Sequence, residues 1–246
     1  MTKRIIAITV LLVLFKLTGC TSFDVNAFAY ESGDELVVLA HGLGRSDWAM
    51  RKFEKRLKET GYKVCSLNYS TIGENVESVL TETRNQINAC VVGAPKIHFI
   101  GHSLGGLVIR AYLQNNQDAQ LNTKLGAIVL MGTPNKGSEL ADHLRDSWLM
   151  KVGGGISRAL MTGDSSLGNK LGELDLNLGV IAGTKSSNLT SEQFEGLNDG
   201  LVSVESTKLS SMSDFIAIEV NHTQMRYNVE VMEQAVHFLK RGVFKH

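Results

Sequence analysis

The stretch Ile97-His98-Phe99-Ile100-Gly101-His102-Ser103-Leu104-Gly105-Gly106 decides how the rest of the chain is read. Its first four residues are an apolar run of strand length, and residues 104–114 carry a helical pattern, so Ser103 falls in a sharp strand-to-helix turn. A serine in such a turn takes a strained backbone conformation, and side chains two residues to either side would collide, which is why Gly101 and Gly105 flank it. The hydroxyl is thereby exposed at the start of a helix. Unpaired backbone N–H groups and the positive end of the helix dipole favour negative charge developing there. Gly106 extends the glycine run and allows close packing of helix on sheet.

Outward from this turn the chain alternates strand and helix patterns. Residues 36–40 are a short unbroken apolar run ending in His41-Gly42, the pattern of a strand buried on both faces. Ser46 is placed to cap a helix running to about Thr60, with Trp48, Phe53 and Leu57 on its inner face and Gly61 stopping it. Strands follow at 62–69, 97–100, 125–131, 179–182 and 215–220, and helices at about 73–90, 104–114 and 223–239. Alternation of this kind predicts an α/β protein with a doubly wound, mainly parallel sheet and helices on both faces. Between residues 138 and 177 the pattern loosens around Gly153-Gly154-Gly155 and the apolar residues Leu149, Met150, Ile156, Leu160 and Met161. Two readings stand: a mobile cap lining an acyl-binding groove, or an ordinary helix pair broken at glycine.

The chain has 246 residues, 43% of them hydrophobic, enough for one sizeable core. Lysine plus arginine equals aspartate plus glutamate at 25 each, so no basic field exists to attract nucleic acid. Twenty-four glycines against two prolines, without a fixed period, indicate many tight turns and no collagen-like repeat.

The N-terminus is set apart from the fold. Lys3 and Arg4 precede an apolar run at 5–15, and Leu17-Thr18-Gly19-Cys20 follows, which reads as an export signal. The four residues resemble the lipobox of bacterial lipoproteins, and that resemblance makes Cys20 the lipidated first residue of the mature chain. Residues 1–19 are then signal, 20–35 a lipid-anchored linker and 36–246 the catalytic domain. Thr21 stands where enteric bacteria place an aspartate to retain lipoproteins at the inner membrane, so the resemblance points to the outer membrane. Lys16 interrupts the apolar run, and Ala27-Phe28-Ala29 is a rival cleavage site that would release a soluble protein. Cys65 and Cys90 each lie in an apolar stretch, and two buried free thiols are expected, because spacing alone cannot bring them together.

Serine is a poor nucleophile at neutral pH and needs a base, itself oriented by a third group. The serine turn resembles that of α/β-hydrolases, and the resemblance implies the chain order serine, acid, histidine, with the histidine on a loop after the last strand; of the seven histidines, His143, His222, His237 and His246 follow Ser103. His222 alone sits in a loop directly after the last strand pattern, while His237 lies within the closing helix and His246 ends the chain. The acid should leave the preceding strand, and Asp199 in Asn198-Asp199-Gly200-Leu201-Val202-Ser203 occupies such a turn. Asp175, Glu205 and Asp214 are weaker candidates, and Glu139 or Asp142 would be a relocated acid. After the first strand, His41-Gly42-Leu43-Gly44 is placed to give the backbone N–H of Leu43 to an oxyanion hole shared with that of Leu104; such donors are worth roughly 3 kcal/mol each. His41 and His102 are read as shaping this neighbourhood without transferring protons, and Trp48 as a core aromatic.

HGLG at 41–44, GHSLGG at 101–106, GTPNKGS at 132–138 and NDGLVSVES at 198–206 before Asn221-His222 together resemble bacterial lipases and esterases of the α/β-hydrolase superfamily, over about residues 36–244. The resemblance implies ester hydrolysis through an acyl-serine, with Ser103 as nucleophile, His222 as base, Asp199 as acid and the amides of Leu43 and Leu104 as oxyanion donors. It implies no cofactor, and no ligand cluster for the calcium of some related lipases stands out. The expected partners are an ester or lipid substrate and, through Cys20, a membrane. Asn135 departs from the histidine many of these lipases carry, and the short lead before the first strand implies a missing N-terminal hairpin. An acyltransferase with the same three residues, and a silent binding protein keeping the fold, are the competing functions.

Overall fold

The computed structural model describes residues 29–116, 119–187 and 190–246. Cys20 and the whole N-terminal signal reading therefore lie outside the described residues. Six strands form one sheet: β1 Glu35–Ala40, β2 Lys63–Ser66, β3 Lys96–His102, β4 Leu125–Met131, β5 Leu178–Gly183 and β6 Asp214–Ile218. Their order is β2-β1-β3-β4-β5-β6, and every neighbouring pair is parallel. Parallel neighbours demand a crossover between them, and the crossovers are mostly helical. The helices are α1 Arg51–Glu59, α2 Val76–Val91, α3 Leu104–Asn115, α4 Ala119–Asn122, α5 Glu139–His143, α6 Trp148–Arg158, α7 Leu167–Lys170, α8 Val204–Thr207 and α9 Val229–Arg241.

Two cores follow from the alternation of side chains along each strand. Leu36, Val38, Phe99, Ile128, Leu130 and Val180 face α2 and α3, while Val37, Leu39, Ile100, Val129, Met131 and Ile181 face α1 and α9. Burial on both faces explains the unbroken apolar runs of the inner strands, and the expected doubly wound sheet is what forms. The chain reverses direction around β1, where β2 lies on one side and β3 on the other. Such a switch leaves a crevice at the carboxyl ends of the strands, the place where open α/β sheets bind ligands.

Several local expectations are corrected. Ser46 makes no side-chain cap; a short 3-10 turn at Asp47–Met50 intervenes and α1 begins only at Arg51. Trp48 does not join the inner face with Phe53 and Leu57 but is 68% exposed, because the 3-10 turn points it away from the core. The second strand stops at Ser66, although the Leu67 N–H still donates to the Leu39 carbonyl. Two caps went unread: the Asn75 side chain accepts from the Ser78 N–H at 2.8 Å, and Asn228 accepts from the Val231 N–H at 3.0 Å, starting α2 and α9. Cys65 and Cys90 are not free thiols. They form a disulfide across 25 residues with their Cα atoms 6.1 Å apart, because the fold brings the edge strand β2 and the last turn of α2 together.

The segment after β4 resolves into short helices. In α6 the backbone leaves helical geometry at Gly154, at φ 77° and ψ −165°, so the glycine break of the helix-pair reading is present. A Cβ there would lie 2.6 Å from the Gly73 carbonyl carbon, and the Ile156 N–H donates to the Glu74 carbonyl. The broken helix thus sits on the residues that lead into α2. Ile156 belongs to the core rather than to any groove.

Candidate active site

At the end of β3, Ser103 has φ 57° and ψ −125°, and it is the only non-glycine with positive φ among the described residues. The surroundings over-determine this conformation. A Cβ on Gly101 would lie 2.5 Å from the Gly106 nitrogen, and one on Gly105 would lie 2.3 Å from the Ala40 carbonyl oxygen, so the glycines are required by close backbone approach. On Gly106 a Cβ would meet the Thr133 hydroxyl, which brings α3 tightly against the residue after β4.

His222 and Asp199 arrive from the loops after β6 and β5. Asp199 is buried; its Oδ1 accepts from the N–H groups of Leu201 at 2.9 Å and Val202 at 2.8 Å. Its Oδ2 faces His222 Nδ1 at 2.7 Å, and the His222 N–H donates to the Asp199 carbonyl at 2.9 Å. With Oδ2 accepting from Nδ1–H, the lone pair of the neutral ring sits on Nε2. A cavity of about 200 Å³ is lined by Ser103, His222, His102, Gly42 and Leu43 together with Leu140, Leu144, Met150 and Leu160. The three side chains singled out in the sequence are therefore gathered at one place, with the serine and the imidazole on the wall of the same cavity. Among the described residues no hydrogen bond joins Ser103 Oγ to His222.

The amides of Leu43 and Leu104 meet no acceptor among the described residues. Leu43 lines the cavity, and Leu104 opens α3, where the first N–H groups of a helix have no intrahelical partner. The Gly44 N–H donates to Thr71 Oγ1 at 2.8 Å, which holds the loop carrying Leu43.

Two further histidines build the walls. His102 Nε2 donates to the His222 carbonyl at 2.9 Å and fixes the loop that delivers the imidazole. Complete burial, reinforced by the neighbouring His222, Arg226 and Arg45, holds its pKa well below the ordinary value of 6.5, so it is neutral. His41 stacks on Tyr69 with ring centroids 4.0 Å apart, and the Tyr69 hydroxyl donates to the His41 carbonyl at 2.5 Å. Burial lowers the pKa of His41 as well.

Four of the other candidate acids are engaged elsewhere. Glu139 accepts from Ser203 Oγ at 2.6 Å, and Asp142 accepts from the Thr162 N–H and hydroxyl. Glu205 pairs with Lys208, and Asp214 accepts from the Phe244 N–H. Asn135, at the position of the departure noted above, accepts from Arg110 Nη1 at 3.0 Å and donates to the Thr207 carbonyl at 2.7 Å. It is a buried tie between α3 and α8 and is not among the residues lining the cavity. Arg45 and Arg226 also line the cavity. Sequence reasoning passed over both, although Arg45 directly follows the Leu43-Gly44 loop and Arg226 lies four residues after His222. Among the described residues no cluster of histidine, cysteine, aspartate or glutamate is placed to hold a metal ion.

A family described as palmitoyl protein thioesterase matches residues 36–165, a span that contains Leu43, Ser103 and Leu104 and ends before Asp199. No curated protein matches the chain. Among solved structures, the mature lipase BlEst2 of Bacillus licheniformis superposes with a TM-score of 0.67 at 17% identity, covering 87% of this chain and 94% of the lipase. A lipase-esterase related protein from Clostridium acetobutylicum aligns at a TM-score of 0.53 and 16% identity, covering 85% of this chain and 96% of its own. Tomato methylketone synthase I, solved with 2-tridecanone, gives 0.56 at 13% identity over 86% of this chain and 99% of the synthase. At these identities the superpositions establish the α/β-hydrolase architecture. The family match covers more than half of the sequence, and the chain belongs to the palmitoyl protein thioesterase family, hydrolases of the thioesterase and esterase type.

Proposed function

We propose that the protein hydrolyses fatty acyl thioesters and esters through an acyl-serine intermediate on Ser103. The observation that carries this reading is the His222–Asp199 pair at 2.7 Å, opening on the cavity whose wall holds the positive-φ serine. His222 Nε2 takes the hydroxyl proton as Ser103 Oγ attacks the acyl carbonyl. Asp199 keeps the ring in that tautomer and stabilises the imidazolium. Charge developing on the carbonyl oxygen falls to the unengaged amides of Leu43 and Leu104. The imidazolium then protonates the departing alkoxide or thiolate, and a water activated by the same nitrogen releases the acid and frees the serine.

The apolar wall of Leu140, Leu144, Met150 and Leu160 suits a hydrocarbon chain. A thioester preference rests on the family; the ester reading rests on the same chemistry with a poorer leaving group. We place the domain at a bacterial membrane, exported and tethered through a lipid on Cys20, with stable attachment from more than one acyl chain. Paired palmitoyl thioester and palmitoyl ester substrates, offered to the purified domain, test the activity, and a phosphonate probe tests the nucleophile. Ser103→Ala is expected to lose about 10⁵-fold or more in turnover, on the scale of serine removal from other triads, and to lose all labelling. Labelling that survives this substitution moves the nucleophile to another residue, and a wild type inert to probe and substrates alike overturns the hydrolase reading in favour of a binding protein.

A further inference from the structure

On one wall of the cavity stand two arginines that the chemistry above does not use. Arg45 and Arg226 both line the cavity with Ser103 and His222, and both also line an open hollow of about 350 Å³ that continues past Ser46 and Trp48. The apolar lining comes from α5, α6 and the residues around them, whereas two of the residues lining this outward passage are arginines. Arg226 is 8% exposed, yet neither arginine has a carboxylate partner among the described residues. Its Nη1 donates to the Ala49 carbonyl at 3.2 Å, and its Nε is buried without an acceptor among the described residues. Asp47, two residues from Arg45, forms no ion pair among the described residues, and Glu54 in the larger hollow beyond is held by Lys58 at 2.5 Å.

Burying one guanidinium beside another is unfavourable unless an anion joins them. Burial first, and then the charge of Arg45, hold the pKa of Arg226 below its ordinary value. Folded proteins keep such arrangements where a ligand supplies the missing charge, and planar forks with free N–H groups match phosphate oxygens.

Resting on the hydrolase reading above, we propose that Arg45 and Arg226 form an anion subsite on the leaving-group side of Ser103, and that the substrate is an acyl ester or thioester whose leaving group carries a phosphate. The acyl chain lies along Leu140, Leu144 and Met150, the carbonyl sits between Ser103 and the amides of Leu43 and Leu104, and the phosphate exits between the two arginines. The phosphate belongs either to a glycerophospholipid headgroup or to a phosphopantetheine thiol.

Two substrate pairs with octanoyl chains, used below their aggregation limits, separate these sources. One pair is octanoyl-coenzyme A against octanoyl-N-acetylcysteamine; the other is 1-octanoyl-glycerophosphoglycerol against 1-octanoylglycerol. Wild-type kcat/KM is expected to favour the phosphate-bearing member in at least one pair. Arg45→Gln, a change at an exposed side chain, should lower that preference roughly tenfold or more, and Arg226→Lys should lower it less, since the charge stays and the fork goes. A preference that neither variant moves overturns the proposal. Binding of inorganic phosphate to the Ser103→Ala protein, followed by calorimetry at low salt, reads the subsite without turnover. Saturable binding lost on adding Arg45→Gln supports the subsite even if every substrate is refused, a result that would sink only the hydrolase reading. No phosphate binding together with equal use of both members of each pair removes the subsite and leaves the hydrolase standing.

Discussion

The cavity has two walls of different construction. One is made from strand ends: the Ser103 turn after β3, the Leu43 loop after β1, and the Asp199 and His222 loops after β5 and β6. The other is made from α5 and α6, short helices between residues 139 and 158 with a break at Gly154. In the strand-end wall single atoms are fixed by several independent contacts, as the two amides on Asp199 Oδ1 and the crowded glycines around Ser103 show. In the helical wall the requirement is apolar volume, which many side chains supply. Geometry that performs chemistry is therefore held by the parallel sheet, and chain selectivity is left to the part that can vary.

If this division is correct, one atom changed in the strand-end wall should outweigh a whole side chain changed in the helical one. Asp199→Asn keeps the shape but presents an amide to His222 Nδ1, stabilising the wrong tautomer; kcat should fall about 10⁴-fold on thioester and ester alike. A loss under tenfold would mean that the acid is elsewhere and that the two walls differ less than their contacts indicate. Leu144→Phe, facing the same cavity, should leave short acyl chains within about twofold while lowering kcat/KM for long chains roughly tenfold, the scale of a few methylenes misfitted in an apolar pocket. Equal losses across a chain-length series would show that Leu144 does not contact the acyl chain.

The helical wall rests on α2. Its N-terminal end carries the broken helix through the Glu74 carbonyl, and its C-terminal end is fastened to β2 by Cys65–Cys90. Closing a loop of that length removes unfolded-state entropy worth about 3.5 kcal/mol in the chain-entropy description. The double change to alanine should lower the urea-derived stability by about that amount and sharpen the contrast, loosening the chain-length preference before the basal rate on short esters. Stability unchanged within about 1 kcal/mol would mean that the disulfide constrains nothing the packing of β2 on α2 does not already hold.

The division also tracks what the sequence discloses. Residues 97–106 reveal the turn because a strand period, a glycine pair and a helix period meet there, and the order of serine, acid and histidine picks out Asp199 and His222. Contacts between distant residues with no period of their own stay hidden. Nothing in the spacing of Cys65 and Cys90 says that two Cα atoms 25 residues apart come within 6.1 Å. Trp48 reads as a helix-face aromatic only if the helix starts at Ser46, and a 3-10 turn removes that premise. Arg45 and Arg226 are single charges with no motif, so their meeting at the cavity is purely a product of the fold. The 138–177 segment stays ambiguous in sequence because glycine permits both a hinge and a break, and in the structure the break at Gly154 is filled by backbone from residues 73 and 74.

The smallest expected effect concerns the buried imidazoles of the sheet. His41 and His102 sit in the strand-end wall and His98 lies further along β3, where its Nδ1 accepts from the Ala127 N–H and its Nε2 donates to Glu35. All three have pKa values lowered by burial. Near neutral pH neither the folded nor the unfolded chain protonates them, so they add no pH dependence. Below about pH 6.5 the unfolded chain gains protons that the folded one refuses, and stability falls as pH falls, by at most about 1.4 kcal/mol per unit for each imidazole. Urea midpoints between pH 7 and 5.5, a window above the titration of ordinary carboxylates, should therefore decline. His102→Gln, which retains a donor for the His222 carbonyl, should make that decline shallower. A slope identical to wild type would mean that His102 takes up its proton in the folded state, and with it that the strand-end wall is wetter and less fixed than its hydrogen bonds imply.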